Sequence, residues 1–98
     1  MTRDEAINAL AKHRREIDAI DVQLLQLLNQ RTRVVESIGQ IKQAAHLPIY
    51  EPKREDDVFR NVTENNRGPL GSDALKRIFE RIIDEMRSLQ KMRREGEK

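Results

Sequence analysis

The sequence contains no cysteine and no tryptophan, and it has only three prolines and four glycines in 98 residues. Without cysteine, the chain has no disulfide, no thiolate metal site and no cysteine nucleophile. No apolar run approaches the roughly 20 residues that a membrane-spanning helix needs. The N-terminal stretch is polar and includes acids, unlike a secretory signal. These absences predict a small cytoplasmic protein with no membrane partner.

An excess of charge of one sign is also missing, although charged residues are abundant. The 19 lysines and arginines outnumber the 17 acids by only two, and charged residues make up 37% of the chain. The two signs are interspersed, which argues against a nucleic-acid partner. A basic cluster near the C-terminus is interrupted by acids, and we interpret it as a solvated helix end. It comprises Lys91, Arg93, Arg94 and Lys98, interrupted by Glu95 and Glu97.

Three helices are predicted, and no segment has the alternation of a strand. The first covers about residues 4–45, and Pro48 ends it because the residue before a proline is disfavoured in the helical conformation. The second covers about 52–65, with Pro52 at its first position. The third covers about 73–93, with Ser72 as its N-cap and a charged tail at 94–98. The prediction is one all-α domain over residues 1–98.

The first helix carries an apolar stripe that is too long for one chain to cover. Its apolar residues recur at spacings of three, four and seven from Leu10 to Ile41. About forty residues form a rod roughly 60 Å long, whereas a compact chain of this size has a radius of gyration of about 13 Å. We therefore expect an intertwined homodimeric helical bundle, in which two copies of the rod pack together.

Two cations fall within this apolar stripe on a helical wheel. Leu27 and Val35 lie within about 40° of Arg31, and Lys42 lies about 20° from it. A charge that faces the core needs an anionic partner. An acid from another helix would satisfy either cation, but two cations on one face favour an anionic ligand.

Three further polar residues extend this candidate site. Arg14 lies about 25 Å from Arg31 along the helix, so a small ligand meets both only if an antiparallel partner chain donates Arg14. Glu55 faces the apolar side of the second helix, either as the ionic partner of Lys42 or Arg31 or as an acceptor for a ligand hydroxyl. Gln90 falls within the stripe of the third helix and must find hydrogen-bond partners there.

The residue types in this set suit electrostatic work on a small dianion. The set contains no activated nucleophile, no histidine–carboxylate pair and no cluster of metal ligands, so we expect neither a metal nor a cofactor. His13 and His46 are isolated in the sequence, and we interpret them as structural or exposed.

At these residues the sequence resembles the AroQ-class, all-helical chorismate mutases, over nearly the whole chain. Each matching run is weak alone, but all of them in order are specific. The resemblance implies a homodimer with shared active sites that rearranges chorismate to prephenate in the shikimate pathway, towards aromatic amino acids. The runs are Arg14-Arg-Glu-Ile-Asp-Ala-Ile-Asp21, Leu24-Leu-Gln-Leu-Leu-Asn-Gln-Arg31, Ile38-Gly-Gln-Ile-Lys42, Pro48-Ile-Tyr-Glu-Pro-Lys-Arg54-Glu55, Asn66-Arg-Gly-Pro-Leu70 and Phe79 to Gln90.

The resemblance also implies roles in catalysis for three residues. Lys42 and Gln90 match the donors to the ether oxygen, where negative charge builds as the C–O bond breaks. Glu55 matches the acceptor that fixes the substrate hydroxyl. A unimolecular rearrangement of this kind needs a held conformer and well-placed cations, not a base or a nucleophile.

The remaining matches concern substrate binding. Arg14 from the partner chain and Arg31 match the two carboxylate clamps, and arginine suits a planar carboxylate through paired hydrogen bonds. Arg54 matches a supporting arginine, and Glu51 matches a second acidic position. Met86 departs from the pattern, since several relatives have a serine there that helps to hold a carboxylate, so one substrate hydrogen bond is missing at this position.

Two other functions remain open at this point. An isochorismate-pyruvate lyase shares the fold and the cations, but its pattern lacks a match for Glu55. A non-catalytic helical interaction or DNA-binding dimer is the second alternative, although recognition helices are short and are joined by tight turns. Docking on another shikimate-pathway enzyme through the basic tail is a further expectation.

Overall fold

The computed structural model describes residues 1–96, and within them it contains three helices and no strand. Helix α1 spans Arg3–Ala44, α2 spans Pro52–Asn65 and α3 spans Ser72–Gly96. The all-α class with three helices is therefore confirmed. A single domain over residues 1–98 and an intertwined dimer stay predictions. None of the described helices is long and apolar enough to cross a membrane.

The chain forms two compact units, Met1–Arg33 and Val34–Lys98, and the second is described as far as Gly96. The first unit is helical from Arg3 onwards, and none of its residues is buried. Its large apolar side chains are uncovered, and each of those inside the helix, apart from the half-buried Leu28, is 49–62% exposed. They are Ile7, Leu10, Ile17, Ile20, Val22, Leu24, Leu25 and Leu27.

The second unit has a small core in which three helical segments meet. Its buried apolar residues are Val35 of α1 and Leu75 and Ile83 of α3, and α2 packs against α3. Lys42 is buried as well, at 8% exposure. Because Lys42 follows Val35 by two helical turns, both side chains point from the same face of α1 towards this core.

The C-terminus of α1 ends in a Schellman motif. The Leu47 N–H donates to the Lys42 carbonyl over 2.7 Å, and the His46 N–H donates to the Gln43 carbonyl over 3.2 Å. His46 takes the left-handed conformation that this motif requires, with φ of 57°. The motif turns the chain back, so that Ile49 to Glu51 pass beside the last turn of α1, as the contacts of Lys42 show below.

Helix α2 begins at Pro52, as predicted, with Glu51 at the N-cap position. The Glu55 N–H donates to the Glu51 carbonyl over 3.1 Å, which is the first helical bond. A carboxylate at the N-cap and another in the first turn both suit the positive end of the helix dipole. This arrangement places Glu51 and Glu55 one turn apart.

Helix α3 begins one residue earlier than predicted. The Leu75 N–H donates to the Gly71 carbonyl over 2.9 Å, so Gly71 holds the N-cap position and Ser72 is the first helical residue. The assignment of Ser72 as the N-cap was therefore wrong, by a single position. The predicted charged tail at 94–98 is helical as far as Gly96, and its last two residues lie outside the described ones.

Candidate active site

Lys42 lies at the centre of a compact polar cluster in the second unit. Its ammonium group donates to the Ile49 carbonyl over 2.9 Å and to Gln90 Oε1 over 3.4 Å. It also forms an ion pair with Glu51, with Nζ 2.6 Å from Oε1. An ammonium has three donors, and these three oxygens match them. Burial of the charge is tolerable because every donor has a partner and one partner is an anion.

Three separate pieces of backbone position these partners. The Schellman motif returns Ile49 to the end of α1, and the N-cap position of α2 presents Glu51. Gln90 comes from α3, whose side chain passes close to Gly39 of α1. A Cβ at Gly39 would meet Gln90 Cγ at 3.4 Å, at the limit of ordinary contact distance, so the two helices approach closely here and the glutamine packs directly on Gly39. The Lys42 ammonium is thus held by the segment between α1 and α2 together with α3.

A second ion pair joins α2 to α3 in the same unit. Arg87 Nη2 lies 2.7 Å from Glu55 Oε1 and 2.6 Å from Glu55 Oε2, and Arg87 Nε donates to Oε2 over 3.2 Å. The Arg87 guanidinium also lies over the Tyr50 ring, 4.9 Å from its centroid. Hydrogen bonding to Glu55 raises the pKa of Arg87 above its ordinary value, so this cation is permanent.

The structure assigns different partners to the two site acids from those weighed in the sequence. Glu55 was considered as the ionic partner of Lys42 or Arg31. In the structure Lys42 pairs with Glu51 instead, and Glu55 pairs with Arg87. The reason is that the segment after α1 folds back and brings Glu51, at the N-cap of α2, to Lys42. Glu55 lies one helical turn further on and faces α3 instead.

The other predicted site residues lie elsewhere on the described chain. Arg54 is exposed on α2, one residue before Glu55, and Met86 is half-buried on α3. Arg14 is exposed and Arg31 is half-buried, and both belong to the Met1–Arg33 unit. The structure therefore brings together Lys42, Glu51 and Gln90, whereas the roles proposed for the arginines stay predictions.

The last turns of α3 are mostly exposed, as predicted for a solvated helix end, but two of their arginines also contact other parts of the second unit. Arg93 pairs with Glu36 of α1 over 3.1 Å, and Arg94 donates to the Leu47 carbonyl over 3.1 Å. Arg93 therefore joins α3 to α1, and Arg94 joins α3 to the segment that follows α1. An open crevice of about 190 Å³ lies along this contact. It is lined by Glu36, Gly39, Gln40, Gln43, Leu89, Gln90, Arg93 and Arg94.

The cluster combines fixed cations with carboxylates and an amide. Among residues 1–96, no group of three or more histidine, cysteine or acidic side chains is placed to hold a metal ion. Lys42 supplies hydrogen-bond donors, the Gln90 amide has a donor and an acceptor end, and the carboxylates accept hydrogen bonds. Groups of these types suit a ligand that carries negative charge and a hydroxyl.

Comparison with known proteins identifies the family. The family described as chorismate mutase type II matches residues 13–91, which is most of the chain. This chain belongs to the chorismate mutase type II family. The resemblance drawn from the sequence runs is thereby confirmed.

Individual relatives agree with this family assignment. The chain is 31% identical to a chorismate mutase from Methanocaldococcus jannaschii, covering 87% of each protein. It is 40% identical to a bifunctional chorismate mutase/prephenate dehydratase from Aquifex aeolicus, covering 84% of this chain and 24% of that protein. The chain thus spans about a quarter of the length of this bifunctional relative.

A solved structure of the family has the same fold. The chorismate mutase from Helicobacter pylori, determined in complex with prephenate, superposes with a TM-score of 0.80 at 31% identity. The match covers 86% of this chain and 91% of that one. Fold and family therefore agree along most of the molecule.

Proposed function

We propose that this chain is a chorismate mutase, which converts chorismate to prephenate by an intramolecular [3,3] rearrangement. The observation that carries the proposal is the meeting of Lys42 and Gln90, which lie on different helices with Nζ 3.4 Å from Oε1. Both match the family's donors to the ether oxygen of the substrate. Gln90 accepts from Lys42 in this structure, and once its amide is turned so that the N–H₂ group faces the same point, both residues can donate to one oxygen that gains negative charge.

The three contacts of Lys42 suggest how the ether oxygen enters. The contact with Gln90 is the longest, at 3.4 Å, compared with 2.9 Å to Ile49 and 2.6 Å to Glu51. The ether oxygen replaces this weakest contact, and the Gln90 amide turns its N–H₂ group towards the same oxygen. Ile49 and Glu51 keep the ammonium in place, so little reorganisation is needed as charge develops.

The remaining work is selection of the substrate conformer. A unimolecular rearrangement requires its two reacting carbon atoms to be held near each other, and anchoring of the substrate's ends does this. In our proposal Arg31, Arg54 and the partner's copy of Arg14 bind the carboxylates, while Glu55 accepts the substrate hydroxyl. Met86 offers no hydroxyl for a carboxylate, so the arginines supply the binding at that end.

The proposal includes a homodimer with shared sites. Its support is the apolar surface of the Met1–Arg33 unit, where Leu24 and Leu27 are 52% and 62% exposed. An isolated chain would leave this surface in water, whereas a second copy of the same helix would cover it. Arg14 and Arg31 lie about 25 Å apart on that helix, so one substrate contacts both only across two chains. A cytoplasmic location and docking on another pathway enzyme stay predictions.

The test is a product analysis with two substrates supplied separately. We expect the protein to consume chorismate, seen as loss of its ultraviolet absorbance, and to release prephenate in equal amount. With isochorismate we expect no pyruvate. Pyruvate from isochorismate with chorismate left intact would identify a lyase, and no turnover of either substrate would refute an enzymatic role.

A further inference from the structure

Arg87 contacts Glu55, one of the proposed substrate contacts, and the mechanism above does not use this arginine. We propose that Arg87 is a positioning residue, which holds the Glu55 carboxylate in the orientation in which Glu55 accepts the substrate hydroxyl. This inference rests on the proposed function, because it assigns a role within the same site. Neither the sequence runs nor the family match assigns a role to this arginine.

The hydrogen-bond count on Glu55 supports this role. An ionised carboxylate offers about four lone-pair positions. Arg87 contacts both oxygens through one edge of its guanidinium, with Nη2 at 2.7 Å from Oε1 and 2.6 Å from Oε2, and Nε at 3.2 Å from Oε2. Oε2 receives both nitrogens, so acceptor capacity remains on Oε1. The arginine thus fixes the plane of the carboxylate and leaves one acceptor position for a hydroxyl donor.

Arg87 is itself held on two further sides. Its guanidinium lies 4.9 Å from the centroid of the Tyr50 ring, and Nη1 lies 3.7 Å from Asp84 Oδ1, one turn earlier on α3. An arginine that is stacked and paired in this way has little rotamer freedom left. Glu55 has three rotatable bonds, and without the guanidinium its carboxylate would sample several orientations.

The position of Arg87 on α3 links it to the reacting end of the site. Arg87 precedes Gln90 by three residues, so both side chains leave neighbouring parts of one helix face. Tyr50 immediately precedes Glu51, which pairs with Lys42 over 2.6 Å. Arg87 therefore touches both segments that carry the site acids, and a shift of its side chain changes where Glu55 points relative to Lys42.

The experiment compares chorismate with the analogue in which hydrogen replaces the hydroxyl group. For the wild type and for Arg87→Gln, kcat and KM are measured with both substrates. We expect the preference of kcat/KM for chorismate over the analogue to fall about tenfold in Arg87→Gln, within the range caused by misplacing a group by about 1 Å. Turnover of the analogue should change less than about twofold, since the analogue makes no use of Glu55.

Three further comparisons separate positioning from stability. Arg81→Gln removes an ion pair of the same helix, Arg81 with Glu85 at 2.9 Å, away from Glu55, and it should leave the preference unchanged. Arg87→Lys keeps the charge but lacks the planar fork, so it should restore only part of the preference. In a Glu55→Gln background, Arg87→Gln should cause no further loss of preference.

Failure of the positioning role and failure of the proposed function give different results. An equal fall in kcat/KM for both substrates in Arg87→Gln would overturn the positioning role, because that pattern indicates damage to the whole site. An unchanged preference, or full restoration by Arg87→Lys, would overturn it as well. If the wild type fails to convert chorismate, the proposed function itself is refuted, and this result appears before any Arg87 variant is compared.

Discussion

Replacement of Lys42 by alanine tests the catalytic proposal most directly. The substitution removes the ammonium group that reaches the Ile49 carbonyl over 2.9 Å, Gln90 Oε1 over 3.4 Å and Glu51 Oε1 over 2.6 Å. It leaves Gln90 as a single neutral donor to the ether oxygen. We expect kcat to fall while the carboxylate contacts, which set most of the substrate binding, persist.

The magnitude follows from charge and distance. A full charge about 3 Å from a developing half charge contributes about 3 kcal/mol at an effective dielectric constant of about 20. Loss of one donor from an oxyanion site typically costs about 3–4 kcal/mol, or roughly 100- to 1,000-fold in kcat. The two estimates agree, so Lys42→Ala should retain at most about 1% of the wild-type kcat.

Stability must be separated from catalysis in this variant. Ile49 is half-buried and Gln90 is half-buried, whereas the Glu51 side chain is 47% exposed and can be rehydrated. Unsatisfied buried groups cost about 1–3 kcal/mol each, and partial exposure reduces that cost. We expect a loss of about 1–3 kcal/mol in total, measured by urea unfolding. Lys42→Met, which keeps the apolar stem, should lose less stability but as much kcat.

The assay follows the decrease in chorismate absorbance, with prephenate quantified in the same samples. Rates are compared at equal folded protein, determined from the unfolding curves. Lys76→Ala, at an exposed position of α3, serves as the matched control and should retain the wild-type rate. A kcat within about threefold of the wild type for folded Lys42→Ala or Lys42→Met would refute the role of Lys42.

Three further predictions address the dimer and the end of α1. Inactive Arg14→Ala and inactive Arg31→Ala chains should regain activity when they are mixed equally and allowed to exchange. Half of the dimers are then hybrids with one intact site of two, so we expect about a quarter of the wild-type activity. No recovery despite proven exchange would exclude a shared site. Leu27→Glu should yield monomers by sedimentation, unlike the control Gln26→Glu, whose side chain points about 100° away around the helix, and a dimeric Leu27→Glu would refute the packing argument. Because His46 has φ of 57°, His46→Gly should raise the free energy of unfolding by about 1 kcal/mol, and a decrease would contradict the strain assigned to this position.

The helices were predictable because strong local signals define them. Pro52 marks the start of α2 in both the prediction and the structure, and α1 ends at Ala44, one residue from the expected end. The way α1 ends was not predictable. Its left-handed residue is His46 instead of a glycine, and the hydrogen bonds of the Schellman motif hold a conformation that histidine rarely takes.

The central pair of the site was predictable, but its ionic partner was not. Lys42 and Gln90 are polar residues on apolar stripes, so each had to find a partner, and they find each other. Choosing between Glu51 and Glu55 as the anion for Lys42 depends on how the segment between α1 and α2 folds back. The sequence fixes the length of that segment but not its path, because the deciding turn at His46 carries no common turn residue.

Arg87 was missed because the stripe of α3 is wider than the apolar spacing suggested. A stripe drawn through Ile82, Met86 and Leu89 leaves Ile83 at its margin, yet Ile83 is buried at 7% exposure. Arg87 lies only about 40° from Ile83 on the wheel, on the side away from the centre of that stripe. The reason is that α3 packs against two partners, since Gln90 and Arg93 contact α1 while Arg87 contacts Glu55 of α2.

A helix that packs against two neighbours has a border between its two contact faces. A charged residue at this border stays partly solvated and can still reach a partly buried partner. The Arg87 side chain stays 37% exposed, so its charge remains partly solvated, while its fork reaches a Glu55 side chain that is only 23% exposed. An arginine deeper in the stripe would bear the full cost of desolvating its charge. An arginine further out would be fully solvated, and its ion pair would not be held in one orientation. For this reason the border position suits an arginine that orients a catalytic carboxylate, and a search for such residues should extend about 100° beyond the apolar spacing of a doubly packed helix.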